Sequence, residues 1–342
     1  MIMKTRHLLL AVAAALIVTV ISLMVGRFQA YLIDAVAVAS IGALALNLLI
    51  GACGQISLAQ GALLGIGAYA AGNFGNAGWD ILALPAAGLT AALTSVLIGL
   101  PALRLRGLYF AIATLAAQAI LEYLFKTVEP LTKGISGLVI KPMTLFGTPL
   151  VTDQAYAALS VVALLITWLF MVWVMRTNVG RAFLVVRESE IVARGMGIDV
   201  ARTKLWAFVA SGFFVGIAGA LMGFATRLAN PEAFGLPLSI DYVAMIIVGG
   251  IGSWGGSIIG AAFVVLLPEL IQRLGEFLNV PNILSAMREL AFGLLIILFL
   301  IFEPRGLAAL LRWLTPRAIA AAAVLLGRKE SWKPQSANRR RV

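Results

Sequence analysis

Ten long apolar stretches account for most of this 342-residue chain. Most of them have about 20 residues, the length a helix needs to cross a hydrocarbon core roughly 30 Å thick. With 61% apolar and only 12% charged residues, the composition excludes an ordinary soluble protein. We predict an all-α integral membrane protein, a polytopic bundle of about ten transmembrane helices over 8–26, 30–50, 56–73, 81–103, 107–125, 155–175, 205–226, 237–252, 257–278 and 288–302. The third, eighth and tenth stretches are short or interrupted by glycine, so eight or nine crossings are alternatives.

The first stretch follows Lys4 and Arg6, an arrangement that a signal peptide also has. Its apolar run is too long for a signal peptide, and Arg27 to Ala30 form a poor cleavage site. We predict an uncleaved first transmembrane helix.

The basic residues predict the orientation, because cytoplasmic loops collect Lys and Arg. With Lys4 and Arg6 inside, alternation keeps 176–204 and the tail inside, where nine of the 26 basic residues lie from Arg305 to Arg341. Both termini are then cytoplasmic, and the loop 126–154 is external. We expect a multi-pass membrane protein, with a transmembrane domain at 1–302 and an interfacial helix and basic, disordered tail at 303–342. The tail suits anionic lipid rather than nucleic acid.

The rarity of two residue types limits the chemistry of this chain. It has one cysteine, Cys53, and one histidine, His7, so a histidine-rich metal site and a histidine-dependent catalytic triad are excluded. No phosphate-binding loop of the form G-x-x-x-x-G-K-[ST] is present in the sequence. We expect no catalytic site, metal or cofactor in this chain, so any ATP is bound by another chain.

Two regions have the same pattern, an apolar helix that reaches a glycine cluster and then resumes. They are Asn47–Gly72 and Tyr242–Ala261. Paired broken helices indicate an internal inverted repeat with a substrate path between the halves. Close helix packing alone is the alternative, and the spacings Gly61/Gly65 and Gly256/Gly260 suit it. The predicted pathway residues are Asn47, Gln55, Ser57, Gln60, Gly249, Gly250, Gly252 and Ser253.

Other polar residues in the spans have simpler interpretations. Glu122 is predicted to reach water at a helix end. Asp34 and Asp241 lie near the outer ends of their spans and either contact an external partner or serve as caps or solvated charges. No carboxylate is predicted in the middle of a span, which argues against ion coupling.

The segment Gly180–Lys204 lies between two spans on the predicted cytoplasmic side. Phe183, Val186, Glu190 and Ala193 recur at three- and four-residue steps, which predicts an amphipathic helix over 182–196 that ends at Gly195 or Gly197. Such a helix suits docking into a groove of a soluble partner. Resting on lipid is the alternative.

Six motifs in order resemble the permease subunits of branched-chain amino-acid ABC importers, specifically the LivM side of the LivH/LivM pair. They lie at 47–57, 105–115 and 132–138, at Gly180–Ala182 with Arg187–Glu190 and Gly197–Ile198, and at 247–253 and 304–307. Each motif alone is weak, but the series is specific. Ala59-Gln60 departs from the Gly-His of many relatives, so a histidine role does not transfer to Gln60.

The resemblance implies an importer of branched-chain amino acids in the bacterial inner membrane, with its substrate specificity and its ATPase on other chains. The implied partners are a homologous LivH-like permease, two cytoplasmic ABC ATPases that hold ATP and Mg, and a periplasmic binding protein. The 180–197 segment is then similar to a coupling helix, whose ATPase-coupling residues would be Arg187, Glu188, Glu190, Ala193, Arg194, Gly195 and Gly197. Arg187 and Arg194 would make contacts at its polar rim. A permease for urea, amides or another small solute is an alternative, and an ion-coupled secondary transporter is an alternative of a different class.

Overall fold

The computed structural model describes residues 5–102, 105, 107–145 and 148–277, with the single positions 293, 294, 297, 306 and 307. Twelve α-helices lie within these ranges. They are α1 (Thr5–Met24), α2 (Arg27–Asn47), α3 (Gln60–Asn76), α4 (Asp80–Ala102), α5 (Leu108–Thr127), α6 (Glu129–Thr132), α7 (Asp153–Arg176), α8 (Asn178–Glu188), α9 (Glu190–Gly195), α10 (Val200–Thr226), α11 (Leu236–Gly249) and α12 (Trp254–Phe277). Four two-residue strands, β1 (Leu138–Val139), β2 (Thr144–Leu145), β3 (Thr148–Pro149) and β4 (Leu228–Ala229), form two antiparallel pairs, β1 with β4 and β2 with β3.

The helical, membrane-spanning class predicted from hydropathy is confirmed. Within the described ranges, six helices are long and apolar enough to cross a membrane: α2 with its continuation to Ala52, α4, α5, α7, α10 and α12. The helices α1, α3 and α11 coincide with three further predicted spans, but a count of ten crossings stays a prediction. The tenth predicted span, 288–302, and the interfacial helix and tail of 303–342 lie outside the described residues, apart from the single positions.

Helices α2 and α10 form the centre of the bundle. In the apolar windows of these helices, 83% and 61% of the residues are buried, against 28–33% in the other four. Backbones approach closely here because small residues line the contacts. A Cβ atom on Gly216 of α10 would lie 2.3 Å from the carbonyl oxygen of Ala87 in α4, and one on Gly67 of α3 would lie 2.1 Å from the carbonyl oxygen of Gly216.

The segment 126–154 is folded over one end of the bundle. Strand β1 pairs with β4, the extension of α10. The amide side chain of Asn76 at the end of α3 donates to the carbonyl of Val139 and accepts from the backbone N–H of Lys141. Asp80 at the start of α4 accepts from the backbone N–H of Thr144 at 3.1 Å. These contacts tie the ends of α3, α4 and α10 together.

Candidate functional site

The first predicted glycine break follows α2. The chain makes a π-helical turn over Leu48–Ala52, and the N–H groups of Gly54 and Gln55 return to the carbonyls of Ile50 and Leu49 at 3.1 and 3.0 Å. No helix is assigned from Gly54 to Ala59, and α3 begins at Gln60. The helix is therefore broken where the sequence predicted.

The start of α3 is buried, so its free N–H groups need partners inside the protein. The hydroxyl of Ser239 accepts from the N–H of Gly61 at 2.8 Å, and the amide oxygen of Gln118 accepts from that of Ala62 at 2.7 Å. Gln118 also donates to the carbonyl of Phe234. Polar side chains from α5 and α11 thus act as a remote cap for α3.

Asn47 joins the first break to the second. Its side-chain oxygen accepts from the N–H of Gly252 at 2.9 Å, and its side-chain nitrogen donates to the carbonyl of Ser253 at 3.2 Å. A Cβ atom on Gly51 would lie 2.7 Å from the backbone nitrogen of Gly252. We call this junction of Asn47, Gly51, Gly252 and Ser253 the break contact. The two regions that the sequence paired are in direct contact.

The glycines behind the break contact pack closely, as one interpretation of the sequence predicted. A Cβ atom on Gly256 would lie 2.3 Å from the carbonyl oxygen of Gly249, and one on Gly260 would lie 2.0 Å from that of Met245. Gly306, from the predicted 304–307 motif, is buried against the backbone of Gly250. Close packing is therefore confirmed, and a pathway role for Gly249 and Gly250 stays a prediction.

The other predicted pathway residues lie near the first break. Gln60 is 2% exposed and donates to the carbonyl of Gly42 in α2 at 2.9 Å, so it holds the broken helix to its neighbour. The hydroxyl of Ser57 accepts from the N–H of Ala59. Gln55 is buried, and its side-chain oxygen has no hydrogen-bond partner among the described residues. Of these residues, Gln55 retains a free polar atom for another group.

A cavity of about 820 Å³ lies between α2, α10, α11 and α12, toward the end of the bundle that carries the 126–154 segment. It is mainly apolar, and its polar lining residues are Tyr31, Asp34, Thr226, Asp241 and Tyr242. Asp34 is 4% exposed and accepts a hydrogen bond from Ser160 on α7. It is therefore neither a solvated charge nor a cap, because it lies within α2 rather than at its start. Asp34 lies seven residues after the start of α2 at Arg27 and 13 before its end at Asn47, so it is nearer one end of the span, and the prediction of no carboxylate in the middle of a span is not contradicted.

The predicted amphipathic helix over 182–196 is two helices, which corrects the sequence prediction. Helix α8 ends at Glu188, Ser189 is extended with φ −162° and ψ 118°, and α9 begins at Glu190. The hydroxyl of Ser189 accepts from the N–H of Val192 at 3.3 Å, and this capping favours a new helix start over continuation.

The apolar face of this segment, which was predicted to dock into a partner or rest on lipid, is instead buried in the chain's own bundle. Phe183, Val186 and Ala193 are 1%, 3% and 0% exposed. Helix α9 ends at Gly195, and Gly197 has a φ of 77°, a left-handed conformation that glycine adopts without strain. The N–H groups of Gly197 and Ile198 return to Arg194 and Ala193 at 3.0 Å each, a Schellman motif. The predicted end of the helix is confirmed.

The side chain of Arg187 contacts a different part of the protein from the side chains of the other predicted coupling residues. Its guanidinium donates to the carbonyl of Gly51 in the break contact. Cβ atoms on Gly252 and Gly54 would lie 3.3 and 3.2 Å from its side chain. The side chain that was expected to face an external partner therefore lies over both breaks.

The charged residues of α9 form a separate cluster. Glu190 pairs with Lys204 of α10, whose side chain is only 2% exposed, and lies 3.9 Å from Arg194. The side chain of Arg194 is 58% exposed, and Glu188 is exposed. Sequence reasoning missed the Arg187 and Lys204 contacts and the caps from Gln118 and Ser239. The polar side chain of Gln118 within an apolar helix is the signal that could have indicated its cap.

Several apolar helices long enough to span a membrane surround a cavity toward one end of the bundle, and two glycine-broken helices meet in the break contact toward the other. These features define a polytopic membrane transport protein. The comparison with known families narrows the class: residues 28–300 match the family described as the permease component of the branched-chain amino acid transport system, and the chain belongs to this family.

Three relatives illustrate the range of the match. The chain is 31% identical over 297 residues to the high-affinity branched-chain amino acid transport system permease protein LivM of Escherichia coli, covering 79% of this chain and 67% of that protein. It is 29% identical to the autoinducer 2 import system permease protein LsrD of Photorhabdus luminescens, covering 71% and 74%. A shorter match of 33% identity joins it to the probable branched-chain amino acid transport permease protein LivH of Methanocaldococcus jannaschii, covering 32% and 34%. No solved structure matches the chain significantly.

Proposed function

We propose that the chain is the LivM-like permease subunit of an ATP-driven importer of branched-chain amino acids. The observation that carries this proposal is the match to LivM along 79% of the chain, within a family match over 28–300. The chain lacks a phosphate-binding loop, so the ATP and Mg would be held by two separate ATPase subunits. A LivH-like permease would complete the membrane core, and a periplasmic binding protein would deliver the ligand.

The orientation follows from the basic residues, and it gives the cavity and the break contact distinct roles. With 178–199 in the cytoplasm, the 820 Å³ cavity lies in the outer half of the bundle, and the break contact, which does not line it, lies toward the inner end of the bundle. Apolar walls suit an aliphatic side chain, and the carboxylates of Asp34 and Asp241 suit its ammonium group. The substrate would enter the cavity and pass inward when the break contact opens.

Helices α8 and α9 are the proposed docking site for an ATPase subunit. Ile191, Val192 and Met196 expose 80%, 54% and 66% of their surfaces, although Ala193 beside them is fully buried. Exposed apolar residues beside the charges of Glu188 and Arg194 are typical of a surface that a partner covers. Contact with lipid is the competing explanation for the same residues.

The proposal is tested by deleting the chain from its host and measuring uptake of radiolabelled leucine, isoleucine and valine, with plasmid-borne wild type as the control. We expect saturable uptake to be lost in the deletion strain and restored by the plasmid-borne wild type. Uptake that is unchanged by deletion, under conditions in which the chain is expressed, would contradict the assignment of this substrate class.

The similarity to an autoinducer 2 permease gives a specific reason to test a second substrate. Unlabelled autoinducer 2, urea and short amides should fail to compete with leucine. Strong competition by one of them would assign the permease to that solute instead. The buried Asp34 is a feature that an ion-coupled transporter would also have, so uptake is measured with a protonophore as well. Uptake that follows the proton gradient rather than ATP would favour that alternative.

A further inference from the structure

The carbonyl of Gly51 is the point where the ATPase-docking segment meets the break. In a regular helix this carbonyl would accept from an N–H four residues later, but Gln55 donates to Leu49 instead. A backbone carbonyl away from water is costly when it lacks a donor. Arg187 supplies that donor from α8, 136 residues along the chain.

Gly51 is also the residue at which the two breaks touch. A Cβ atom there would lie 2.0 Å from the side-chain oxygen of Asn47 and 2.7 Å from the backbone nitrogen of Gly252. Asn47 in turn binds both Gly252 and Ser253. A group that holds the Gly51 carbonyl therefore holds the entire break contact, and a group that releases it frees the first break to move.

The position of Arg187 on α8 places its hydrogen bond to Gly51 close to the proposed docking surface. Phe183 and Val186 anchor α8 in the bundle, while the exposed Ile191 and Val192 lie on α9, beyond the extended residue Ser189. Arg187 is two residues before that bend. Force applied to α9 by a partner would reach Arg187 directly, because only the end of α8 and Ser189 separate them.

We propose that Arg187 is a positioning residue that keeps the break contact closed and releases it when the docked ATPase moves α9. This inference rests on the proposed function for the identity of the partner. In this structure Arg187 donates to the Gly51 carbonyl, and the proposal takes this arrangement as the closed state. Opening would require the guanidinium to leave that carbonyl. The free energy of this charge-assisted hydrogen bond therefore contributes to the free-energy difference between the closed and open break contact.

The chain carries its own reporter for this movement. Cys53 is its one cysteine, is fully buried, and lies two residues after Gly51. A thiol reacts only when reagent reaches it. We propose measuring the rate of N-ethylmaleimide addition to Cys53, by mass spectrometry of its peptide, in the complete transporter in proteoliposomes.

Replacement of Arg187 is expected to open the break contact. In Arg187→Ala, the alkylation rate of Cys53 should rise roughly tenfold, the lower end of the range for losing a charge-assisted hydrogen bond, because Gly51 is buried but Arg187 is exposed and the bond is part-buried. ATP hydrolysis should also become less dependent on the loaded binding protein. Arg187→Lys, which keeps a charged donor, should recover part of the protection. Arg181→Ala is the matched control, because Arg181 lies on the same helix and bonds within its own first turn to Asn178; it should leave the rate at the wild-type value.

If Arg187→Ala fails to assemble, Arg187→Gln provides the same test, because it removes the charge while keeping a similar shape. A Cys53 rate equal to wild type in an assembled Ala or Gln variant would overturn the inference. The alkylation assay requires no transported substrate. The inference can therefore fail while leucine uptake persists, and the proposed substrate can be wrong while Cys53 still responds to Arg187.

Discussion

The ion pair between Glu190 and Lys204 offers a quantitative test of how the docking segment is held. The side chain of Lys204 is 2% exposed and that of Glu190 is 22% exposed. Removing one partner of a buried pair costs about 3–5 kcal/mol, since the remaining charge stays desolvated. Because water reaches Glu190, we expect a smaller loss for Glu190→Gln, about 2–3 kcal/mol, or roughly 30- to 150-fold in the unfolding equilibrium.

Thermal and denaturant unfolding of the detergent-solubilised chain would measure this loss. The double variant Glu190→Gln with Lys204→Met should recover most of the stability, because no unpaired charge remains buried. Glu188→Gln is the control on the exposed neighbour and should change the free energy of unfolding by less than about 0.5 kcal/mol. If Glu190→Gln is as stable as wild type, or if the double variant is no more stable than the single one, the pair does not hold α9 to α10.

The double variant also tests the role that the family resemblance implies for Glu190. If ATP hydrolysis by the assembled transporter responds to loaded binding protein as in wild type, Glu190 acts by holding α9 in place. A stable double variant that no longer responds would indicate that the Glu190 carboxylate contacts the ATPase itself.

Three further changes test the break, the cap and the cavity. Gly51→Ala places a Cβ atom against the backbone of the second break and should reduce uptake at least tenfold. Gly255→Ala is the control and should not reduce uptake, because no atom lies within 4 Å of its new Cβ atom. Equal uptake by both variants would contradict the break contact. Gln118→Leu leaves the N–H of Ala62 at the buried start of α3 without its acceptor and should lower the free energy of unfolding by about 1–3 kcal/mol, and an unchanged unfolding curve would refute the cap. Asp34→Asn keeps a hydrogen-bond acceptor but removes the charge facing the cavity, so uptake of a zwitterionic amino acid should fall roughly tenfold. Unchanged uptake at low substrate concentration would show that this carboxylate does not contact the transported amino acid.

Much of the architecture was accessible from the sequence because it depends on local patterns. Apolar length predicted the helices, and glycine clusters after apolar runs predicted both breaks. The three- and four-residue spacing of Phe183 and Val186 predicted an apolar helix face, although that face packs in the chain's own bundle and not against a partner. These features depend on neighbours along the chain, which a single sequence displays directly.

The contacts that close the site were not accessible in the same way. Arg187 and Gly51 are 136 residues apart, and Asn47 and Gly252 are 205 residues apart. Hydropathy gives no information about which carbonyl an arginine reaches. Ser189 did carry a local signal, since serine followed by glutamate is typical of a helix start, but the continuing apolar spacing outweighed it. A polar residue such as Gln118 in an apolar helix indicates an unmet hydrogen bond elsewhere without identifying its location.

The most direct test of the transport assignment is leucine uptake by proteoliposomes that contain this chain, its partner permease and the ATPase subunits, with purified binding protein outside. We predict uptake that requires ATP inside, requires loaded binding protein, and stops when the ATPase is inactivated by mutation. Leucine accumulation without ATP, driven by an imposed proton gradient, would contradict the account.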